Sequence, residues 1–365
     1  MPRITFSLDD LPREMASFAA QVARAKERLA AWDDHTEWHS AREEIFMRGT
    51  TRLYKYTNSN PRPQGPPLLL VYSLVNRPSV LDLQPGNSLI GELVAAGFEV
   101  YLIDWGSPTF SDRTRTLSDY IIGDLDACVE AIRGHCRDER VNLLGICQGG
   151  VFSVCYAALF PHKVANLIAT VTPIDFQTPT DFLSACLRHI DVDAMVENYG
   201  NLPGALLNAL FLAQKPLQLS QRKYLEWIVG IENESASSLF LAMERWIFDS
   251  PALAGAALRE FATTFYRQNS FMQGSLQIGS HRVSLVNVTC PVLNIYAARD
   301  HLVPPAAARA LGNVVGTQDY SEIELAAGHL GIYVSAKIRQ RMVAIIREWL
   351  SARSAPLKQG GLARR

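Results

Sequence analysis

The chain alternates short, continuously apolar runs with longer stretches of helical periodicity. The runs lie at 68–72, 98–105, 141–146 and 164–171, and the helical stretches at 88–96, 117–136 and 149–160. Strands that are apolar throughout are typical of a parallel sheet covered by helices on both faces. The pattern therefore predicts an α/β fold on a mostly parallel sheet, preceded by an antiparallel strand pair where residues 43–57 alternate more weakly.

The alternation stops near residue 173. From 174 to 288 the chain is rich in helical patterning and aromatic residues, and strands of the same kind are expected again only at 291–296 and 320–325. An insertion of this length is most simply a cap over a site at the sheet edge, and a helix at 331–352 closes the core. The expected domains are an N-terminal helical segment at 1–40, a core at 41–173 and 289–353, a helix-rich cap at 174–288 and a disordered tail at 354–365.

The N-terminal segment carries a stripe of apolar or small residues spaced alternately four and three apart. The stripe consists of Leu11, Met15, Phe18, Val22, Ala25, Leu29 and Trp32. This heptad spacing predicts an amphipathic helix. The spacing leaves two interpretations open: a helix packed on its own domain, or a docking surface for a partner or a hydrophobic surface.

Composition narrows the function classes. The 365 residues carry a formal net charge of −1 and are 48% hydrophobic, which gives no basic excess for binding nucleic acid. The six cysteines show neither paired CxxC spacing nor clustering with histidine, so we expect reduced thiols and no metal site. The first residues lack a signal-peptide pattern and no apolar stretch is long enough to span a bilayer, so we expect a cytoplasmic protein without a transmembrane segment.

The run at 141–146 ends in the sequence GICQG at residues 145–149, directly before a predicted helix. This strand, tight turn and helix match the nucleophile elbow G-x-S-x-G, with Cys147 in place of serine. Glycines suit an elbow because side chains beside the strained central residue would collide with the strand and the helix. A helix N-terminus also favours the thiolate of Cys147. A buried cysteine in a glycine-rich connection remains the alternative for this motif alone.

Two residues further along complete a catalytic triad. Asp300 follows the strand at 291–296, and His329 follows the strand at 320–325. Each has a structural alternative, since Asp300 could cap a turn and His329 could merely occupy one. Nucleophile, acid and histidine in this order, each just beyond a strand, are the arrangement of α/β-hydrolases. His301 is adjacent to the acid, so we expect it to support the triad rather than to be the base.

The oxyanion hole and the chemistry follow from the elbow. The first donor should be the backbone N–H of Gln148, and the second should come from the loop after the first parallel strand, with Val75 favoured and Asn76 next. An acyl-Cys147 is itself a thioester, so taking an acyl group from another thioester is close to isoenergetic. We therefore expect acyl transfer from a thioester donor. A cysteine α/β-hydrolase acting on small esters or lactones is the alternative.

Seven sequence blocks resemble the catalytic subunit of class III polyhydroxyalkanoate synthases. They are LVNRP at 74–78, YLIDWG at 101–106, GICQGG at 145–150, VTPIDFQTP at 171–179, WIFDSP at 246–251, DHLVPP at 300–305 and GHLGIY at 328–333. The resemblance covers residues 50 to 350, is weakest in the N-terminal segment, and implies an α/β-hydrolase fold.

The resemblance implies polymerisation of (R)-3-hydroxyacyl-CoA, mainly short-chain such as 3-hydroxybutyryl-CoA, with release of CoA. Cys147 would carry the growing polyester chain, His329 would be the base, and Asp300 would orient His329 or help to activate the incoming 3-hydroxyl. It further implies a homodimer, work at the surface of polymer granules, a non-catalytic partner subunit (PhaE) and no cofactor besides the CoA thioester. A catalytically inactive, granule-coating scaffold is a rival that an intact triad disfavours.

Overall fold

An eight-stranded sheet lies at the centre of the chain in a computed structural model that describes residues 11–31, 38–56, 65–136 and 138–353. In chain order the strands are β1 (Arg42–Arg48), β2 (Thr51–Tyr56), β3 (Leu68–Val71), β4 (Asp82–Gln84), β5 (Asn87–Ser88), β6 (Val100–Asp104), β7 (Val141–Ile146), β8 (Val164–Thr170), β9 (Gln277–Ile278), β10 (His281–Arg282), β11 (Val292–Ala297) and β12 (Tyr320–Leu325). The large sheet has the order β1-β2-β6-β3-β7-β8-β11-β12, and β4-β5 and β9-β10 form separate ribbons.

The sheet is parallel from β6 to β12, and at one edge β2 pairs antiparallel with both β6 and β1. The mostly parallel sheet and the strand pair at 43–57 are therefore confirmed. Because parallel strands end at the same edge, residues that follow β3, β7, β8, β11 and β12 are brought to one side of the sheet.

The α-helices of the described residues fall into three groups along the chain: one before the sheet, several that cover it, and a run between β8 and β11. They are α1 (Leu11–Ala30), α2 (Leu89–Ala95), α3 (Asp126–Cys136), α4 (Gln148–Leu159), α5 (Phe182–His189), α6 (Val192–Tyr199), α7 (Gly204–Leu212), α8 (Lys223–Val229), α9 (Glu234–Phe248), α10 (Gly255–Phe261), α11 (Ser270–Gln273), α12 (Pro305–Arg309), α13 (Gly331–Val334) and α14 (Ala336–Ser351).

Both faces of the sheet are covered, as the continuously apolar strands predict. Along β3, Leu69 and Val71 pack into a core with α3 and α4, whereas Leu68 and Leu70 pack on the opposite face with α2 and α14. This alternation follows from the two-residue period of a strand. A strand in such a position has no solvent-facing side, so all four residues are apolar.

The last predicted helix is interrupted. The pattern predicted one helix at 331–352, but Ser335 has extended backbone geometry (φ −73°, ψ 114°) and separates α13 from α14. The guanidinium of Arg339, which is completely buried, donates to the carbonyls of Tyr333 (3.1 Å) and Val334 (3.3 Å) at the break. These carbonyls end a short helix and have no intrahelical partner, so a buried donor satisfies them instead.

The insertion between β8 and β11 contains helices α5 to α11 and the ribbon of β9 and β10. Its last part packs into the sheet core: Phe261, Phe265, Phe271 and Leu285 belong to the same apolar cluster as α4. The predicted domain bounds, including the division at residue 288, stay predictions. The role of the insertion as a cap remains a prediction.

The predicted N-terminal helix is present as α1, but most of its apolar stripe is exposed. Met15, Phe18, Val22 and Leu29 are between 41% and 64% exposed, whereas Ala25 is buried against Trp227 and Ile231 of the insertion. Packing on its own domain thus accounts for one position of the stripe. Trp32, the first ten residues and the predicted tail at 354–365 lie outside the described residues. Within the described part of the chain, no helix combines the length and apolar character that crossing a bilayer requires.

Candidate active site

Cys147 lies at the sharp turn between β7 and α4. Its backbone has a positive φ (φ 54°, ψ −121°), which is strained for a residue with a side chain. Its N–H donates to the carbonyl of Thr170 at the end of the neighbouring strand β8 (3.0 Å). The strand-turn-helix elbow that the sequence predicted is therefore present, with the thiol partly exposed at its apex.

The glycines around Cys147 are required by close backbone approach. A Cβ atom on Gly149 would lie 2.1 Å from the carbonyl oxygen of Val71, and one on Gly150 would lie 1.8 Å from Oγ1 of Thr172. Real Cβ atoms do not come this close, so only glycine fits. The contact at Gly149 also brings the end of β3 directly against the start of α4.

Thr170 and Tyr333 form hydrogen bonds that hold the elbow in place. Besides accepting from the Cys147 N–H, Thr170 donates from Oγ1 to the carbonyl of Gly145 (3.1 Å), and the same hydroxyl lies 3.0 Å from the hydroxyl of Tyr333. Both side chains are buried. The last residue of β8 and the short helix α13 thus fix the turn that carries the thiol.

Asp300 and His329 form a buried pair next to the elbow. Oδ2 of Asp300 lies 2.7 Å from Nδ1 of His329, and Oδ1 accepts the N–H groups of Leu302 and Val303, each at 2.9 Å. The Asp300 side chain is inaccessible to solvent and that of His329 is 8% exposed. Both oxygens of Asp300 are therefore occupied, which fixes the carboxylate and the ring that it contacts.

The charges at the site favour a protonated His329. Burial by itself lowers the pKa of His329, but the negative charge of Asp300, reinforced by Cys147, raises it to about 10. His301 behaves differently, because burial and the nearby Lys215 lower its pKa. Of the two histidines, His329 is the one that contacts the carboxylate and interacts with the thiol.

The predicted oxyanion donors lie on two segments that hydrogen bonds join at the elbow, and one of these donors already has a partner. Gln148 begins α4, where a backbone N–H has no intrahelical acceptor. Its side-chain Oε1 accepts from the N–H of Leu74 (3.0 Å) and from the hydroxyl of Ser73 (3.2 Å). The N–H of Val75 donates to Oγ of Ser73 (2.9 Å), and the following Asn76 has a positive φ of 63°. The loop after β3 therefore lies against the nucleophile turn, while the favoured donor Val75 is held by a local serine.

Sequence reasoning missed several residues around Cys147. Tyr72, Tyr266 and Tyr333 have raised pKa values, mainly through burial, and the charge of Cys147 contributes in each case. The hydroxyl of Ser73 and the side chain of Gln148 were also missed. The available signals were the position of Tyr72 directly after β3 and the position of Tyr333 in the sequence block that contains His329.

No group of three or more His, Cys, Asp or Glu side chains converges as metal ligands in the part of the chain that the structure describes. The chemistry available to these residues is nucleophilic: a thiol on a strained turn, a histidine held by a buried carboxylate, and backbone donors beside both.

Comparisons with known proteins agree with this architecture. Residues 66–336 match the family model of the alpha/beta hydrolase fold, which confirms the predicted fold class. The chain is 44% identical to the poly(3-hydroxyalkanoate) polymerase subunit PhaC of Allochromatium vinosum over 94% of this chain and 98% of the relative. A protein of the same description from Thiocystis violacea is also 44% identical, over 95% of this chain and 98% of the relative.

Among solved structures, a thermophilic esterase from Thermogutta terrifontis matches 87% of this chain and all of its own, with a TM-score of 0.52 and 18% identity. A likeness at this identity shows the fold alone.

Proposed function

Because the chain belongs to the poly(3-hydroxyalkanoate) polymerases, acyltransferase-type enzymes with the α/β-hydrolase fold, we propose that it polymerises (R)-3-hydroxyacyl-CoA through an acyl-Cys147 intermediate, with release of CoA. We propose short-chain substrates, such as 3-hydroxybutyryl-CoA. The observation that carries the mechanism is the strained Cys147 turn beside a histidine held 2.7 Å from a buried carboxylate.

In the first step the thiolate of Cys147, beside the protonated His329, attacks the thioester carbonyl carbon of the substrate. The new C–S bond forms as the bond to CoA breaks, and CoA leaves as a thiol with the proton that His329 held. The pKa of His329, raised to about 10, supports this role because the ring then carries a proton at neutral pH. An acyl-Cys147 keeps the reactivity of a thioester, so it can pass the acyl group on.

In the second step a hydroxyl attacks the acyl-Cys147. His329 takes the hydroxyl proton, the ester bond forms, and Cys147 leaves as a thiolate, so the triad returns to its starting state. Asp300 is proposed to orient His329. Its two oxygens already accept from His329, Leu302 and Val303, which supports orientation rather than direct activation of the hydroxyl.

The negative oxygen of each tetrahedral intermediate needs donors, and we assign these to backbone N–H groups at the elbow. Gln148 supplies one from the start of α4, and Val75 or Asn76 supplies the other. Since Val75 donates to Ser73 in this structure, its N–H must turn from the serine to the substrate oxygen, or share itself between them, during acyl transfer.

Incubation of the purified enzyme with 3-hydroxybutyryl-CoA tests the proposal. We expect CoA thiol to be released together with insoluble polyester, and Cys147→Ala to abolish both. We also expect His329→Gln to slow acylation by about 10² to 10⁴-fold, the range of general acid–base catalysis. Soluble 3-hydroxybutyrate as the sole product would instead identify a cysteine hydrolase. Full activity of Cys147→Ala would contradict the assignment.

Partners and location are proposals of the same kind. We propose that the enzyme works in the cytoplasm at the surface of polymer granules, as a homodimer with a non-catalytic partner subunit. The exposed stripe of α1, including Met15, Phe18 and Val22, supports a docking role for the N-terminal segment.

A further inference from the structure

We propose that Arg77 is a positioning residue for acyl transfer: through it, the end of helix α9 holds the oxyanion loop in place. The oxyanion loop is the segment Ser73–Arg77, which connects β3 to the short helical turn at Pro78–Leu81. The inference deepens the proposed function, since it rests on acyl transfer at Cys147.

One end of the oxyanion loop is anchored to the elbow. The N–H of Leu74 and the hydroxyl of Ser73 both donate to Oε1 of Gln148, and Ser73 in turn accepts from Val75. These bonds connect the loop to the residue after the nucleophile. They place the backbone of Val75 near the turn, but they do not hold Asn76 or Arg77.

The other end of the loop is anchored to the insertion. Nε of Arg77 lies 2.7 Å from Oδ2 of Asp249, and the Arg77 carbonyl accepts from the indole N–H of Trp246, also at 2.7 Å. The hydroxyl of Ser250 donates to Oδ1 of Asn76. All three partners lie at or just beyond the C-terminal end of α9, and each contact joins residues at least 169 positions apart in the chain.

Contacts from outside the loop are needed to hold its conformation. Asn76 has a positive φ, a conformation that costs free energy unless the surroundings fix it. Beside the loop lies a small cleft that is open to solvent and lined by Asn76, Arg77, Trp105 and Pro251 among others. Outside the end of α9, the Arg77 side chain makes one further hydrogen bond, from Nη2 to Oγ of Ser107 (3.2 Å). The 2.7 Å contacts of Arg77 with Asp249 and Trp246 are shorter than this bond, so the end of α9 is the main hold on this end of the loop.

The ion pair of Arg77 with Asp249 is too exposed to add much to the stability of the fold. The Arg77 and Asp249 side chains are 30% and 35% exposed, and ion pairs this accessible to water contribute little to the free energy of unfolding. Its geometric effect is larger, because a donor displaced from the oxyanion loses its effect on the transition state. A movement of α9 away from the core would therefore also release the loop.

Two reactions of Cys147 separate positioning from general damage. Acylation by a p-nitrophenyl ester passes through a tetrahedral oxyanion, whereas alkylation by iodoacetamide is a direct displacement at carbon that forms none. We expect Arg77→Met to slow acylation by about tenfold to hundredfold, less than the loss of a whole oxyanion donor, and to leave alkylation within about twofold. Arg77→Lys should recover part of the acylation rate, because it keeps the charge opposite Asp249 but not the fork geometry.

A matched control comes from the ion pair of Arg259 with Asp193 (2.5 Å), which lies within the insertion and does not contact the loop. Asp249→Asn should slow acylation, whereas Asp193→Asn should not. Adding Asp249→Asn to Arg77→Met should cause less further loss than Asp249→Asn causes alone, because the two residues act through one contact.

The outcomes are distinguishable. Acylation of Arg77→Met within about twofold of wild type, or equal slowing of acylation and alkylation, would overturn the positioning role. Alkylation without any acylation of the wild-type thiol would overturn it too, along with acyl transfer at Cys147. A wild-type enzyme that is acylated by the ester but releases no CoA from 3-hydroxybutyryl-CoA would count against the proposed substrate only, and would leave the role of Arg77 standing.

Discussion

At the scale of single residues, the site is defined by positions under tight steric or hydrogen-bonding constraints. Cys147 occupies a positive φ that its surroundings impose, and Gly149 is the residue that lets β3 approach the elbow. Asp300 accepts hydrogen bonds at both oxygens, which leaves His329 a single orientation. Each of these constraints is local in space, so a single substitution should reveal it.

Gly149→Ala tests the close approach of β3. The added Cβ would lie 2.1 Å from the Val71 carbonyl and 2.6 Å from the Tyr72 carbonyl, so the strand end must move. We expect a loss of about 1–3 kcal/mol in the free energy of unfolding, measured by urea denaturation, and loss of CoA release because the oxyanion loop follows Tyr72.

Gly134→Ala is the matched control. Gly134 lies in α3, is exposed, and a Cβ there meets nothing within 4 Å. We expect the free energy of unfolding to rise by about 0.5–1 kcal/mol, because alanine favours a helix over glycine. Equal behaviour of the two variants would show that the elbow tolerates a side chain at Gly149.

At the scale of elements, a few buried polar contacts fix the positions of the strand ends and helices around the site. Thr170 at the end of β8 contacts both the Cys147 turn and Tyr333 of α13. Arg339 of α14 reaches the carbonyls of α13 and also Glu92 of α2 (2.8 Å). The short helix that follows His329 is therefore fixed from both sides.

Arg339→Met tests the role of this buried arginine. Removing the guanidinium leaves Glu92 and the carbonyls of Gly86, Tyr333 and Val334 without their donor. We expect a loss of about 3 kcal/mol or more in the free energy of unfolding, because breaking a buried ion pair leaves a charge uncompensated. Arg222→Met, which removes an exposed pair with Glu226, should cost less than about 1 kcal/mol in the same measurement. Similar losses would mean that Arg339 is not needed to hold α13.

At the scale of the whole molecule, the described chain combines a sheet core with two appended helical parts. The insertion contacts the site through the end of α9, and α1 contacts the insertion through Ala25 and the ion pair of Arg24 with Glu232. In the described residues, α1 thus contacts the insertion, and the insertion in turn contacts the loop beside the thiol. Substitutions in α1 should for that reason affect association more than chemistry.

Deletion of residues 1–35 tests this order. It removes the exposed residues Met15, Phe18 and Val22, and none of the deleted residues that the structure describes belongs to the apolar clusters around the sheet, so we expect the rate of Cys147 acylation to stay within about twofold. Binding to isolated polymer granules, measured by co-sedimentation, should fall clearly. Unfolding of the core on deletion would instead make the stripe a structural element of this chain.

The sequence by itself determined the features that depend on neighbouring residues. Apolar periodicity predicted the strands of the parallel sheet, with β7 and β12 at their observed bounds, and the order of Cys147, Asp300 and His329 predicted which side chains meet. These predictions succeed because a strand buried on both faces must be apolar throughout and because parallel strands end at one edge. The catalytic roles themselves await the measurements above.

Tertiary structure alone decided what depends on residues distant in the chain. The ion pair of Arg77 with Asp249 joins residues 172 positions apart, and the contact of Arg339 with Gly86 joins residues 253 positions apart. No local sequence pattern predicts either contact. The break at Ser335 and the engagement of the Val75 N–H by Ser73 likewise depend on which donors and acceptors the folded chain brings together. Periodicity specifies which face of an element is buried, whereas the partner of each buried polar group is chosen only when the elements pack.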